Sequence, residues 1–244
     1  MTAPITATGL SRRFDKEIAV DAIDLQVQTG EIHAIVGLNG AGKTTLMRLL
    51  LGMLRPDSGR AAIFGMDADR ATSVVWQSVG HLIETPFSYA ELTTRENIVA
   101  SALLHSVPTA TIDASVDRVI EQFELGHWAN RRARVLSLGN RQRLGLASAL
   151  VHEPSVLILD EPANALDPAG VVFVRDLLRE YAAAGAAVLV SSHHLDQLSR
   201  IAHTITVMHR GRQVGMLDPS GADLEQCFFE IVHRSDRALR ETPA

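Results

Sequence analysis

The stretch Gly37-Leu38-Asn39-Gly40-Ala41-Gly42-Lys43-Thr44-Thr45 decides the fold. It fits the phosphate-loop pattern G-x-x-x-x-G-K-[ST]. Just before it, Glu31-Ile32-His33-Ala34-Ile35-Val36 reads as a buried strand, and just after it Leu46-Met47-Arg48-Leu49-Leu50 is apolar at helical spacing. A strand, a loop and a helix in that order are what such a loop needs to work. Its glycines let successive backbone N–H groups turn toward a phosphate, and the helix aims its partly positive N-terminus at the same anion. Lys43 is expected to reach the β- and γ-phosphates, and the Thr44 hydroxyl to hold Mg²⁺. The loop from Gly37 to Thr45 therefore predicts a nucleoside triphosphate, without saying what kind of machine uses it.

Outward from the loop, the chain divides by pattern. Residues 5 to 28 read as antiparallel strands with a turn at Asp15-Lys16, and Phe14 stands just before that turn. Phe14 is either core packing or an aromatic face for a purine; pattern alone leaves both open. Ala61 to Gly65 and Val79 to Ile83 read as short strands. From about Ser88 to Glu153 no strong strand appears. Thr93-Thr94-Arg95-Glu96 looks like a capping box opening a helix through Leu104, and further helices are expected over Thr111 to Phe123 and Asn140 to His152. Strands return at Val156 to Leu159, at Ala187 to Val190, and at His203 to His209 and Arg212 to Leu217, with a helix over Gly170 to Tyr181. The tail from Asp218 is charged and in part helical. The expected fold class is α/β: a mostly parallel sheet flanked by helices, with an N-terminal antiparallel β subdomain and an inserted helical subdomain. The expected division is 1–84 and 154–217 for the nucleotide-binding core, 85–153 for the insertion and 218–244 for the tail, within a single domain.

Composition narrows the class. The chain has 244 residues, 46% of them hydrophobic and 21% charged, which suits a soluble domain with a sizeable core. A net charge of −5 argues against a dedicated nucleic-acid binder, which carries a basic face. Cys227 is the only cysteine, so no internal disulfide can form and a reducing compartment is expected. No signal-peptide pattern opens the sequence, and its most apolar segment, Tyr181 to Val190, is too short to cross a bilayer. A cytoplasmic location is expected, with any membrane association coming through a partner.

Two further clusters carry chemistry. Asp160-Glu161 caps an apolar strand and precedes Pro162. Next to a phosphate loop, Asp160 can complete a Mg²⁺ site, and Glu161 can orient and deprotonate water at the γ-phosphate. The bland alternative is a pair of solvated loop acids. His193 follows Ser191-Ser192 at the end of a parallel strand, where such sheets line their ligand crevice.

Taken together, the phosphate loop, Leu136-Ser137-Leu138-Gly139-Asn140-Arg141-Gln142-Arg143, Val156 to Glu161, Asn164-Ala165-Leu166-Asp167 and Ser192-His193 resemble the ATP-binding cassette (ABC) ATPase family over about residues 5 to 217. In that family the signature reads close to L-S-G-G-Q; here Ser137 and Gly139 are kept, while Leu138 and Asn140 depart from it. The resemblance implies that Phe14 stacks on adenine, Asp160 binds Mg²⁺, Glu161 is the general base and His193 contacts the γ-phosphate. It further implies that Ser137, Gly139 and Asn140 close on the partner's ATP in a head-to-tail dimer, with Asp167 in the segment that communicates across it. ATP and Mg²⁺ are the implied cofactors. The implied partners are a second cassette, identical or not, and separate integral-membrane permease subunits, with no nucleic acid; the chain would sit on the inner face of the membrane through the permease. The surface from Glu84 to Thr94 would receive a permease helix. Where the family usually has Gln, this sequence has Glu84, expected at the metal; in this it resembles exporters that protect bacteria from bacitracin-like and lantibiotic peptides. The rival functions are a non-transport ABC ATPase acting on ribosomes or DNA, and a small-molecule kinase, which would need no signature segment.

Overall fold

The computed structural model describes residues 3–15, 17–193 and 195–241. Lys16 of the expected first turn, His194 and residues 242–244 lie outside the described residues.

Two kinds of strand pattern build two kinds of sheet. β1 (Ile5–Phe14) and β2 (Glu17–Val27) pair antiparallel, and the alternation in the second half of β2 puts Ile23, Leu25 and Val27 into the interior, with a register shift at the left-handed Ala22 separating them from the buried Val20. β3 (Ile32–Val36), apolar but for His33, is buried throughout, as a central parallel strand must be, and His33 Nε2 is paired with Thr206 Oγ1. It feeds the phosphate loop and then α1 (Lys43–Leu50). β4 (Ser58–Ile63) and the two-residue β5 (Met66–Asp67) complete a four-stranded antiparallel sheet in the order β2-β1-β4-β5. A single turn of helix, α2 (Ser73–Trp76), leads into β6 (Val79–Leu82).

The inserted helices are α3 (Thr94–Leu104), α4 (Ile112–Gln122) and α5 (Leu138–Leu150). Thr93 and Glu96 form the expected capping box reciprocally at the start of α3. The chain then re-enters the second sheet through β7 (Val156–Asp160), α6 (Pro168–Ala183), β8 (Ala187–Ser192), α7 (Leu195–Ser199), β9 (Thr204–His209) and β10 (Arg212–Leu217), and α8 (Leu224–Glu241) packs back on β9 and β10. The strand order is β10-β9-β3-β8-β7-β6, all parallel except the edge strand β10.

β3 divides the interior in two. Ile32, Ala34 and Val36 join one apolar cluster that continues through Phe123, Leu144 and Leu150 of the insertion. Ile35 faces the other, which α1 and the antiparallel sheet fill with Leu46, Leu50, Ile5 and Leu25. The insertion is thus packed into the same cluster as one face of the parallel sheet.

Three histidines, His81, His105 and His152, gather where β6 meets the ends of α3 and α5. The His105 and His152 rings stack with centroids 3.8 Å apart and planes at 10°. His152 Nε2 donates to the Val79 carbonyl at 3.2 Å, and its Nδ1 is buried without a partner among the described residues. Burial, and then the neighbouring His105, push the His152 pKa down to about 3, and the same two causes lower that of His81. The folded protein therefore holds His152 neutral, while the unfolded chain takes up a proton below about pH 6.5. This stability is fully present above that pH and drains away as pH falls toward 3, by a total on the order of 4 kcal/mol. Urea unfolding between pH 8 and 5 should show the loss, and His152→Gln, which keeps a donor for Val79 but cannot titrate, should flatten the curve.

Candidate functional site

The phosphate loop is seated by main chain on both sides. A Cβ on Gly42, whose φ is +101°, would overlap the Ala19 carbonyl of β2, and one on Gly37 would overlap the Met208 carbonyl of β9. Only glycine fits at either place. Within this frame Lys43 is 7% exposed, and its Nζ donates to the carbonyls of Gly37 at 2.7 Å and Leu38 at 3.4 Å. Burial lowers its pKa, opposed by the charges of Glu161 and then Asp160. The ammonium thus stands between the loop and two carboxylates.

The carboxylates arrive on β7. Asp160 Oδ2 accepts from the Thr44 hydroxyl at 2.6 Å, and its Oδ1 accepts from the Ser191 hydroxyl on the neighbouring strand β8. Ser191 Oγ in turn accepts from the Glu161 N–H at 3.0 Å. Glu161 leaves the strand with φ +49°, a left-handed turn that costs a non-glycine residue roughly 1 kcal/mol or more and aims its side chain back over the loop. There Glu161 Oε2 meets His193 Nδ1 at 2.9 Å. Phe14 and Asn39 to Thr45 line a cleft of about 360 Å³ together with Asp160 and Glu161. The Phe14 ring is 42% exposed, and the Arg12 guanidinium lies 5.0 Å from its centroid. Phe14 is therefore not core.

The signature segment lies at a helix start, two residues earlier than expected. Ser137 is the N-cap of α5, its hydroxyl accepting from the Asn140 N–H at 3.2 Å, so Leu138 and Gly139 join Asn140 in the first helical turn rather than preceding it. Asn140 thus spends its N–H on the cap, while Ser137 and Leu138 are exposed. Asp167 caps α6 in the same way, accepting from Gly170 N at 3.0 Å, with Pro168 at the first position; this helix too begins two residues before the expected Gly170. Arg143 of α5 reaches Asp167 at 3.7 Å.

The ABC transporter family pattern matches residues 20–164, more than half of the chain. The chain belongs to the ABC transporter family. Over 87% of its length it is 35% identical to the bacitracin transport ATP-binding protein BcrA of Bacillus licheniformis, and it spans 69% of that protein. Over 94% of its length it is 37% identical to the daunorubicin resistance ATP-binding protein DrrA3 of Streptomyces coeruleorubidus, spanning 73% of it. Among solved structures, the ATP-binding subunit of an ABC transporter superposes with a TM-score of 0.87 at 26% identity, covering 94% of this chain and 99% of that one. This ABC ATPase is accordingly an ATP-binding, ATP-hydrolysing transporter subunit.

One expected member of this ABC site is not brought to it. Glu84 does not line the cleft and does not contact Thr44 or Asp160. Its φ is +58°, its side chain is 51% exposed, and Oε2 pairs with Arg48 Nη2 at 2.5 Å. The partner shown for Glu84 is thus a guanidinium of α1 rather than the Thr44–Asp160 pair. With Glu84 held there, Glu84→Gln should leave nucleotide affinity the same as in the wild type, with and without Mg²⁺. Titrations in which the mutant alone binds metal-free ATP more tightly would return Glu84 to the metal. Conversely, Ser191, which joins Asp160 to Glu161, drew no attention in the sequence. The signal was its register: Ser191 stands opposite Asp160 in the parallel pair of β7 and β8.

Proposed function

We propose that this subunit closes on ATP as a head-to-tail pair and drives export through separate membrane permease subunits. The observation that carries the reading is the convergence of Lys43, Thr44, Asp160 and Glu161 on one cleft, with His193 held against Glu161, and an exposed, capped helix start at Ser137 elsewhere on the same chain. That helix offers the N–H groups of Leu138 and Gly139 to an anion and does not line its own subunit's phosphate-loop cleft, which suits a second molecule's nucleotide.

In this reading Phe14 receives adenine on the ring face away from Arg12, and the residues from Gly37 to Thr45 hold the phosphates. Among the described residues no group of three or more His, Cys, Asp or Glu side chains could hold a metal. Mg²⁺ does not need one: it takes one or two protein oxygens and completes its shell with phosphate and water. Thr44 Oγ1 and Asp160 Oδ2, 2.6 Å apart, are such a pair of hard oxygens. The metal, when bound, would neutralise charge on the β- and γ-phosphates. Glu161 takes the proton from the attacking water, and His193 Nδ1 keeps the Glu161 carboxylate oriented. Asp167 and the signature residues Ser137, Gly139 and Asn140 carry the contact to the second cassette.

Among the described residues no helix is long and apolar enough to cross a membrane. A groove beside Glu84 supports the permease half of the reading. Phe87 and Leu104, each 74% exposed, line it with Tyr89 and Met53. An exposed apolar groove of this kind suits the apolar face of a partner helix, which would hold the subunit at the inner face of the membrane. The likeness to a bacitracin transport protein and a daunorubicin resistance protein favours an antibiotic, such as a peptide antibiotic, as cargo.

The test is Ser137→Arg, a bulky cation placed at the signature. ATP binding to the isolated subunit should stay within about twofold, because Ser137 is not among the residues lining its own phosphate-loop cleft. Turnover should fall at least tenfold and lose its dependence on protein concentration. Turnover that is indifferent both to this change and to concentration would overturn the paired reading.

A further inference from the structure

Gln142 is a polar residue in the second turn of α5, yet it is only 4% exposed. Its carboxamide leaves the insertion and enters the catalytic core. Nε2 donates to the Pro162 carbonyl at 2.8 Å and, more weakly, to the Glu161 carbonyl at 3.4 Å. A buried carboxamide is retained only where its partners need it, because an unpaired one costs free energy. Here the partners are the two carbonyls that follow β7. Glu161 occupies a left-handed conformation, which persists only where neighbours over-determine it. Three neighbours do so: Ser191 Oγ accepts its N–H, Asn164 N–H donates to its carbonyl at 3.0 Å, and Gln142 is the third. Of the three, only Gln142 comes from the inserted helices, and it rides five residues along the same helix as Ser137.

We propose that Gln142 is a positioning residue. Its carboxamide fixes the main chain at Glu161 and Pro162 and so sets where the Glu161 carboxylate stands, in step with the pose of α5. The proposal rests on the reading of Glu161 as the base. It makes α5 a rigid connection within one subunit: the end at Ser137 meets the partner's nucleotide, and the second turn holds this subunit's own base. A shift of α5 against β7 stretches the Gln142 bonds and moves the carboxylate from the water it must deprotonate. Nucleotide affinity stays as it was, since Gln142 is not among the residues lining the cleft.

Three variants of the full chain test this. Gln142→Met keeps the length and flexibility of the side chain and removes the donor. Its kcat should fall about tenfold or more, the scale of a lost donor to buried acceptors, while KM for ATP stays within twofold. In a Glu161→Gln background the same change should cost less than twofold, because the group it positions is no longer a base. A Gln142→Met enzyme with wild-type kcat, or one losing the same factor in both backgrounds, would overturn the proposal. Gln142→Glu gives an independent readout. A carboxylate there faces two carbonyls and cannot donate, whereas a protonated carboxyl can, and burial favours the protonated form. The ratio of its kcat to wild type should therefore climb as pH falls from 8 to 6, while the ratio for Gln142→Met stays flat. Parallel ratios would count against positioning, and this arm decides alone if Gln142→Met does not fold. Failure of the base reading itself is seen separately, as a Glu161→Gln enzyme that turns over at the wild-type rate.

Discussion

Glu161→Gln should bind ATP as well as the wild type while hydrolysing it at least a hundredfold more slowly. The amide keeps the shape of the side chain and can still meet His193, now as a donor or acceptor, but it cannot take a proton from water. Loss of a general base costs about 10²- to 10⁴-fold. The backbone supports of residue 161, Ser191 Oγ and the Asn164 N–H, do not depend on its side chain, so the left-handed turn survives. Single-turnover hydrolysis and equilibrium binding of ATP, run on the same preparation, separate the two effects. If ATP holds two cassettes together, the variant should also accumulate as a dimer in light scattering when ATP is added. Hydrolysis at the wild-type rate would remove Glu161 from the role of base.

Lys43→Ala should have the largest effect on binding. In the cleft the ammonium is already desolvated and held by the Gly37 and Leu38 carbonyls. Phosphate oxygens therefore meet a cation that is in place, and a charge-assisted hydrogen bond in such a site is worth about 1.5–3 kcal/mol. Losing one of them should weaken ATP about tenfold to 150-fold. The substitution also frees two loop carbonyls, so the loop itself loosens. Calorimetric titration with ATP is the check, and unchanged affinity would sink the phosphate-loop assignment. ADP offers a useful comparison: its loss should be smaller, since Lys43 is expected to reach the γ-phosphate as well as the β-phosphate.

Much of this was legible in the chain. The runs Ile32–Val36 and Val156–Asp160 are too apolar for a surface strand and are buried throughout. The box Thr93 to Glu96 marked the start of α3 because its two hydrogen bonds are local in sequence. The starts of α5 and α6 were misjudged by two residues. In both, a short polar side chain three residues before the apparent start, Ser137 or Asp167, accepts the N–H of Asn140 or Gly170 and so adds a turn that apolar periodicity does not reveal. β5 and α2, of two and four residues, span about one period each and so show no repeat. Contacts distant in sequence were not readable. Glu84 finds Arg48 across 36 positions, and Gln142, a polar residue among helical neighbours, looks like solvent face until α5 is packed against β7.

The seat of the phosphate loop has a consequence beyond the loop. Gly42 rests against a carbonyl of β2 and Gly37 against a carbonyl of β9, and these strands belong to different sheets. The loop is a keystone between two slabs of backbone, touched on each side by atoms that no mutation can delete. β2 follows directly on β1, whose end carries Phe14, so the strand pair that presents the aromatic ring also bears on the cradle of the phosphates. A tilt of the antiparallel slab, from whatever cause, shifts the ring and the cradle as one piece. On the proposed reading of Phe14 as the adenine face, hold on the base and grip on the phosphates are then a single mechanical property of this subunit, and neither is tuned without retuning the other.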